Sequence, residues 1–209
     1  MKKIILAIVI ALGLTSSVSA AQKSGCVLAQ KGEVTAAWMA YKTASKIGVS
    51  GTFDKVDYKA VAKEGKNFRE ILVGSSVSID TSSVNSKNTG RDVKLVKFFF
   101  EQMNSNTITA KITDIKADKK LKGKPRTGVV TLNVTMNGVT KSVPMKYSFA
   151  DSVFSAKGTI DIFDFSASKA LSSINKACFD LHKGKTWNDV TIAFTTNIEA
   201  ILCNVKPLK

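Results

Sequence analysis

The stretch Val130-Thr131-Leu132-Asn133-Val134-Thr135-Met136-Asn137-Gly138-Val139-Thr140-Lys141-Ser142-Val143-Pro144-Met145-Lys146-Tyr147-Ser148-Phe149 decides the fold. Val130, Leu132, Val134 and Met136 precede Asn137-Gly138, and Val143, Met145, Tyr147 and Phe149 follow it. A period of two places those side chains on one face of each strand. Asn-Gly between two such runs predicts a tight hairpin, because a type I′ turn needs positive φ at both central positions.

Outward from this hairpin the alternation continues. Val34, Ala36, Trp38 and Ala40 would share one strand face; so would Val73, Ser75, Val77 and Ile79, and then Ile108, Ala110 and Ile112. Gly123 and Pro125 mark a second connection before Thr127. The last run, from Val190 through Ile192, Phe194, Thr196, Ile198 and Ala200 to Leu202, alternates for thirteen residues. Long strands with one apolar face argue for a barrel or sandwich. A strand this long is accommodated more easily by tilting around a barrel. The fold class predicted is mainly β, an antiparallel barrel.

Two segments break the period. Leu95, Phe98, Phe99 and Met103 fit one face of a helix over 91–103, and Phe165, Leu171, Ile174, Cys178 and Leu181 fit a second. Asp164 or Ser166 would cap the second helix and Gly184 would end it. No internal repeat or long linker divides the chain.

Residues 1–20 read as a signal peptide: Lys2 and Lys3, an apolar run from Ile4 to Leu14, then the small-x-small Val18-Ser19-Ala20. The predicted mature domain, 21–209, has 209 − 20 = 189 residues, enough for one core. Loss of the two lysines takes the formal charge from +15 to +13. That excess suits an anionic partner such as a lipid headgroup or membrane surface, and equally a merely solvated surface. Three cysteines in an exported chain allow one disulfide. Cys26 and Cys203, just outside the first and last strands, would become neighbours in a closed barrel and are the favoured pair. Cys178 then remains as a buried thiol.

Much enzymology is absent. His182 is the sole histidine, predicted to lie at the surface near a helix C-terminus, where the dipole favours it. One histidine and scattered cysteines give no zinc spacing, and neither a phosphate-cradling glycine loop nor a GxSxG elbow occurs. No catalytic group, metal or cofactor is therefore assigned. Single-strand binders interleave basic residues with exposed aromatics that stack on bases; here the aromatics mostly fall on the apolar strand faces, which argues against nucleic acid.

Several motifs occur in order. Trp38 through Lys42, Gly51-Thr52-Phe53, Ser78-Ile79-Asp80-Thr81, Arg91-Asp92-Val93-Lys94-Leu95, Phe98-Phe99, Thr131-Leu132 with Gly138-Val139-Thr140-Lys141, and Ile198-Glu199-Ala200 form the series. It resembles the YceI-like family, whose elements read F-x-x-x-H, G-x-F, SI-x-T, RD-x-HL, paired Phe and LT-x-x-GVTK. The resemblance spans about Val34 to Ala200. It implies an eight-stranded lipocalin-like barrel that holds a polyisoprenoid, isoprenoid quinone, fatty acid or fatty amide in the periplasm, and barrels that can pair as homodimers. This chain departs from the pattern at three places: Lys42 and Lys94 stand where the family has histidine, and Ser166 follows Asp164-Phe165 where it has glycine.

Each methylene moved from water into such a tunnel contributes about 0.8 kcal/mol. The inward candidates are Trp38, Phe53, Ile79, Ile108, Ile112, Val130, Leu132, Val134, Val143, Met145, Tyr147, Ile160, Ile162, Ile192 and Phe194, with Leu95, Phe98 and Phe99 at the mouth. Each could equally be a packed core residue. Lys42 and Lys94 are the headgroup candidates, since ammonium groups pair with phosphate or carboxylate. Arg91 and Asp92 are assigned a structural role, as a pair or cap fixing the loop into the first helix. Beside the carrier function stand two alternatives: an enzyme using a carboxylate such as Asp92 as base on the same lipid, and a filled barrel with no ligand that serves as an envelope stress protein.

Overall fold

The computed structural model describes residues 26–203, so the predicted signal peptide lies outside the described residues. The strands are β1 (Cys26–Lys42), β2 (Ile47–Phe53), β3 (Val56–Lys59), β4 (Glu64–Gly65), β5 (Ser76–Asp80), β6 (Val84–Asn85), β7 (Thr107–Ala117), β8 (Arg126–Met136), β9 (Val139–Ala150), β10 (Val153–Asp161) and β11 (Asp189–Cys203). The helices are α1 (Phe68–Leu72), α2 (Thr89–Phe98), α3 (Ser168–Ala177) and α4 (Phe179–His182).

All strands join one curled antiparallel sheet, ordered β3-β5-β7-β8-β9-β10-β11-β1-β2-β6, with β4 on β1. Only Asp54 and Lys55 separate β2 from β3. β2 pairs with β1, and β3 pairs with β5, at the far end of the sheet order. One bent strand therefore closes the curl. The sheet has eleven strands where the family resemblance implies eight, because β2–β3 is one strand broken by the bend and β4 and β6 are two-residue additions.

The Asn137-Gly138 hairpin is formed as read, with φ of 53° and 77° and Met136 opposite Val139. β11 matches the thirteen-residue run with one more residue at each end. The first strand starts at Cys26, well before the alternation at Val34, because β1 carries a register shift between Lys31 and Thr35 that interrupts the period.

Helical segments close the two ends. At one end α1 forms a plug: Ile71 and Leu72 are fully buried, and the Phe68 ring makes edge contacts with Tyr147, Phe149 and Phe154 at centroid distances of 4.9–6.0 Å. Sequence periodicity had assigned Val73 and Ser75 to a strand, but Val73 is the C-cap of α1 and β5 begins at Ser76. A five-residue helix is too short to show a helical period.

At the other end lie α2, α3 and α4. The predicted 91–103 helix is α2 followed by a separate 3₁₀ turn at Phe100–Gln102. The second predicted helix breaks into a 3₁₀ turn, Ile162–Phe165, then α3 and α4. Neither Asp164 nor Ser166 caps α3, whose N-cap is Ala167 with no side-chain bond; Asp161 caps the preceding turn instead. Ser166 sits in the left-handed region (φ 54°), which explains why glycine suits this position. Gly184 does end α4, its N–H bonding the Phe179 carbonyl.

Candidate functional site: an apolar cavity with a cationic mouth

Between the α1 plug and the far helices the barrel encloses a cavity of about 590 Å³. Native interiors hold few voids larger than a water molecule, so a space this size is not a packing defect. It lies within the roughly 300–1,000 Å³ of ligand pockets.

Its wall is built by the alternation. From β1, β2 and β5 come Trp38, Phe53 and Ile79; from β7 and β8, Ile108, Ile112, Leu132 and Val134; from β9 and β10, Met145 and Ile160. Ile192 and Phe194 of β11 complete it with Ile162, and Leu95 and Phe99 descend from α2. Four of the named candidates lie off the cavity. Val130 and Tyr147 are buried in the core cluster shared with the plug residues Phe68, Ile71 and Leu72, while Val143 is buried on β9, the strand on which the Ile162–Phe165 turn packs. Phe98 projects from the flank of α2, where Lys97 Nζ stands 5.5 Å from its ring centroid. Alternation tells which face is inward, but not which inward residues a helix covers.

Polar groups collect at two places. Near the plug, Tyr58 Oη donates to Gln30 Oε1 (2.8 Å) and Gln30 Nε2 to Thr196 Oγ1 (2.9 Å), all three residues lining the cavity. Burial pushes the Tyr58 phenol above its ordinary pKa. Sequence reading missed this trio, because polar residues on strands otherwise read as outward.

The second place is the mouth. Lys42 at the end of β1, Arg91 and Lys94 on α2, and His182 at the end of α4 all line the cavity there. The loop after α4 locks onto β1: Trp187 N–H bonds the Tyr41 carbonyl (3.0 Å) and Trp187 Nε1 the Thr43 carbonyl (2.8 Å). Lys46 and Lys185 lie over the Trp187 ring at 4.8 and 4.6 Å, and Lys46 also pairs with Asp189 at 2.7 Å. His182 is thus part of the wall, correcting its expected place on the outer surface. The loop's return onto β1, invisible in sequence, carries it there.

His182 Nδ1 lies 2.7 Å from Thr186 Oγ1, and that hydroxyl donates to Asn175 Oδ1 at 2.9 Å. A hydroxyl has one proton, so Nδ1–H must be the donor to Thr186, and Nε2 is left for a ligand. Burial, then the charges of Lys42 and Lys94, lower the imidazole's pKa below its ordinary value. None of Lys42, Arg91 and Lys94, all half-buried, has an ion-pair partner among the described residues.

Asp92 does not pair with Arg91. Its Oδ1 accepts from Ser86 N (2.9 Å) and Ser86 Oγ (2.5 Å), fixing the turn into α2, while Asn88 caps the helix. The cap role holds and the pair does not. Cys26 is disulfide-bonded and stands opposite Cys203 in the β1–β11 backbone register, whereas Cys178 is a buried free thiol.

The architecture is an antiparallel calyx, plugged at one end and apolar within. The chain belongs to the YceI-like family, whose YceI-like domain model matches residues 27–198. Among solved structures it is similar to a polyisoprenoid-binding domain from Saccharophagus degradans implicated in plant cell wall breakdown, at 13% identity and TM-score 0.56, over 84% of this chain and 99% of that one. It is also similar to Burkholderia cenocepacia BcnA, at 15% identity and TM-score 0.51, over 79% and 96%. These likenesses concern the fold. No curated protein sequence matches the chain.

Proposed function

We propose that this protein is an exported carrier or reservoir for one long-chain amphiphile, with the tail in the barrel and the head at the mouth beside Lys42 and Lys94. The observation that carries this is the cavity itself: about 590 Å³, walled by aliphatic and aromatic side chains, with its cations gathered at one end. Apolar burial supplies affinity in proportion to chain length. The similar Saccharophagus domain is described as polyisoprenoid-binding, which supports an isoprenoid, quinone or fatty-acid-like ligand. The signal-peptide pattern and the disulfide at Cys26 support a periplasmic or secreted site of action.

Binding is favoured over catalysis. Asp92 is engaged by Ser86 in shaping a turn. The one hydroxyl–imidazole contact described on the cavity wall, Thr186 with His182, has the Thr186 proton donated to Asn175 Oδ1, away from the imidazole that would have to act as its base. The test is an equilibrium titration of the mature protein with a long-chain fatty acid and a C15–C20 isoprenoid. One equivalent should bind, and Ala36→Trp, which puts a ring into the cavity, should abolish uptake while the protein stays folded. Undiminished uptake by that folded variant would overturn the tunnel as the site.

A further inference from the structure

Lys42, Lys94 and Arg91 meet at the cavity mouth from two separate elements, β1 and α2, and His182 joins them from α4. Gathering half-buried cations without a counter-ion is electrostatically unfavourable, and effective dielectric falls as water is excluded. The other charged groups near the imidazole are Asp180, Lys183 and Lys185 on its own segment, all exposed, and Asp92 is already engaged by Ser86. The buried thiol of Cys178 also lines the cavity. An anion bound among the cations would relieve their repulsion.

The hydrogen bonds define what His182 can offer that anion. Thr186, whose own proton goes to Asn175, accepts a hydrogen bond from His182 Nδ1–H, so neutral His182 presents only a lone pair at Nε2. A lone pair repels an anion. Protonated at Nε2, the same ring becomes an N–H donor beside two ammonium groups.

We propose that Lys42, Lys94 and His182 form a proton-linked site for an acidic head group, in which the anion and a proton on His182 Nε2 bind together. This rests on the carrier function and names the ligand class within it: lipids ending in phosphate, sulfate or carboxylate, over alcohols, amides and quinones. Burial first, and the charges of the two lysines next, disfavour the imidazolium; the arriving anion offsets the lysines' field and draws the proton in. The affinity for a fixed anion therefore rises as pH falls toward and below the ordinary imidazole range.

The test uses the mature protein and two probes of identical tail, a long-chain alkyl sulfonate, whose charge does not titrate, and the corresponding alcohol. Calorimetric titrations from pH 8 to 5.5, in buffers of different ionisation enthalpy, read affinity and proton uptake together. The sulfonate should gain about tenfold in affinity for each unit by which the anion raises the histidine pKa, with up to one proton taken up. The alcohol should show neither effect. His182→Gln should remove the pH dependence and the proton uptake of sulfonate binding, and an unchanged far-ultraviolet circular dichroism spectrum shows that the variant is folded. An unchanged sulfonate pH profile in His182→Gln, or equal pH-independent binding of both probes, overturns the proton-linked site and leaves the carrier function standing. Failure of both probes to bind overturns the carrier function and this inference with it.

Discussion

The ring of Trp38 on β1 lies across Gly51 on β2: a Cβ at position 51 would fall 2.6 Å from Trp38 Cζ2 and 2.7 Å from the Asn85 carbonyl oxygen. The two residues face each other in the β1–β2 register. Gly51 is the glycine of the Gly51-Thr52-Phe53 motif, and its bare backbone lets Trp38 lie flat on the wall of the cavity. Gly51→Ala forces the ring or the Asn85 peptide to move. Overpacking of this kind costs about 1–3 kcal/mol, and it should show as a lowered denaturation midpoint and a shifted tryptophan emission. A variant as stable as the parent would contradict the packing described.

Ser166 presents the opposite case. It holds φ 54° with no Cβ-free residue to ease it, and a left-handed backbone costs a side-chain-bearing residue about 1–2 kcal/mol. Part of that gain is offset by glycine's greater freedom when unfolded, about 0.5–1 kcal/mol. Ser166→Gly should therefore raise the melting temperature slightly, and a clear fall would show that the serine side chain contributes something further.

The α1 plug makes Phe68 a test of how the barrel is sealed. Its ring touches Tyr147, Phe149 and Phe154, and Phe→Ala in a core removes about 3–5 kcal/mol. Urea unfolding of Phe68→Ala should show a loss in that range. A loss under about 1 kcal/mol would mean the plug is peripheral.

His182, as the sole histidine, gives one set of imidazole signals to follow by NMR. Its pKa lies below the ordinary value because of burial first and the lysine charges next. Between that lowered value and about 6.5 the unfolded chain binds more protons than the folded one, so stability falls as pH falls across this window. His182→Gln should flatten that fall. Lys42→Met with Lys94→Met should raise the histidine pKa and weaken an anionic lipid more than its neutral analogue. Equal losses for both lipids would remove the lysines from headgroup recognition.

The disulfide prediction is chemical. Non-reducing peptide mapping should recover Cys26 joined to Cys203, with Cys178 alkylated only after unfolding. Recovery of Cys178 in a bridge would contradict the buried free thiol.

How far sequence carried the fold depended on periodicity. The long strands β8, β9 and β11 were legible because one face of each is buried, so apolar residues recur every second position. The closure through β2–β3 was not, since a bend at Asp54-Lys55 leaves two short runs that pair on different sides. Nor was α1, at five residues. The candidate site divides the same way: the inward faces of β7 and β8 were readable, whereas Val130 and Tyr147 differ from their neighbours only by what the plug covers. His182 reached the mouth through Trp187 and Thr186 folding back on β1, a non-local contact that leaves no mark on nearby sequence.

The central claim is that the barrel holds a long-chain amphiphile, and native mass spectrometry of the mature protein purified from its exporting host, followed by solvent extraction, tests it most directly. A single bound species of long-chain mass, released by solvent and ending in an acidic group, is the predicted result. A protein that emerges at its bare mass, and keeps that mass after incubation with isoprenoids, quinones and fatty acids, would contradict it.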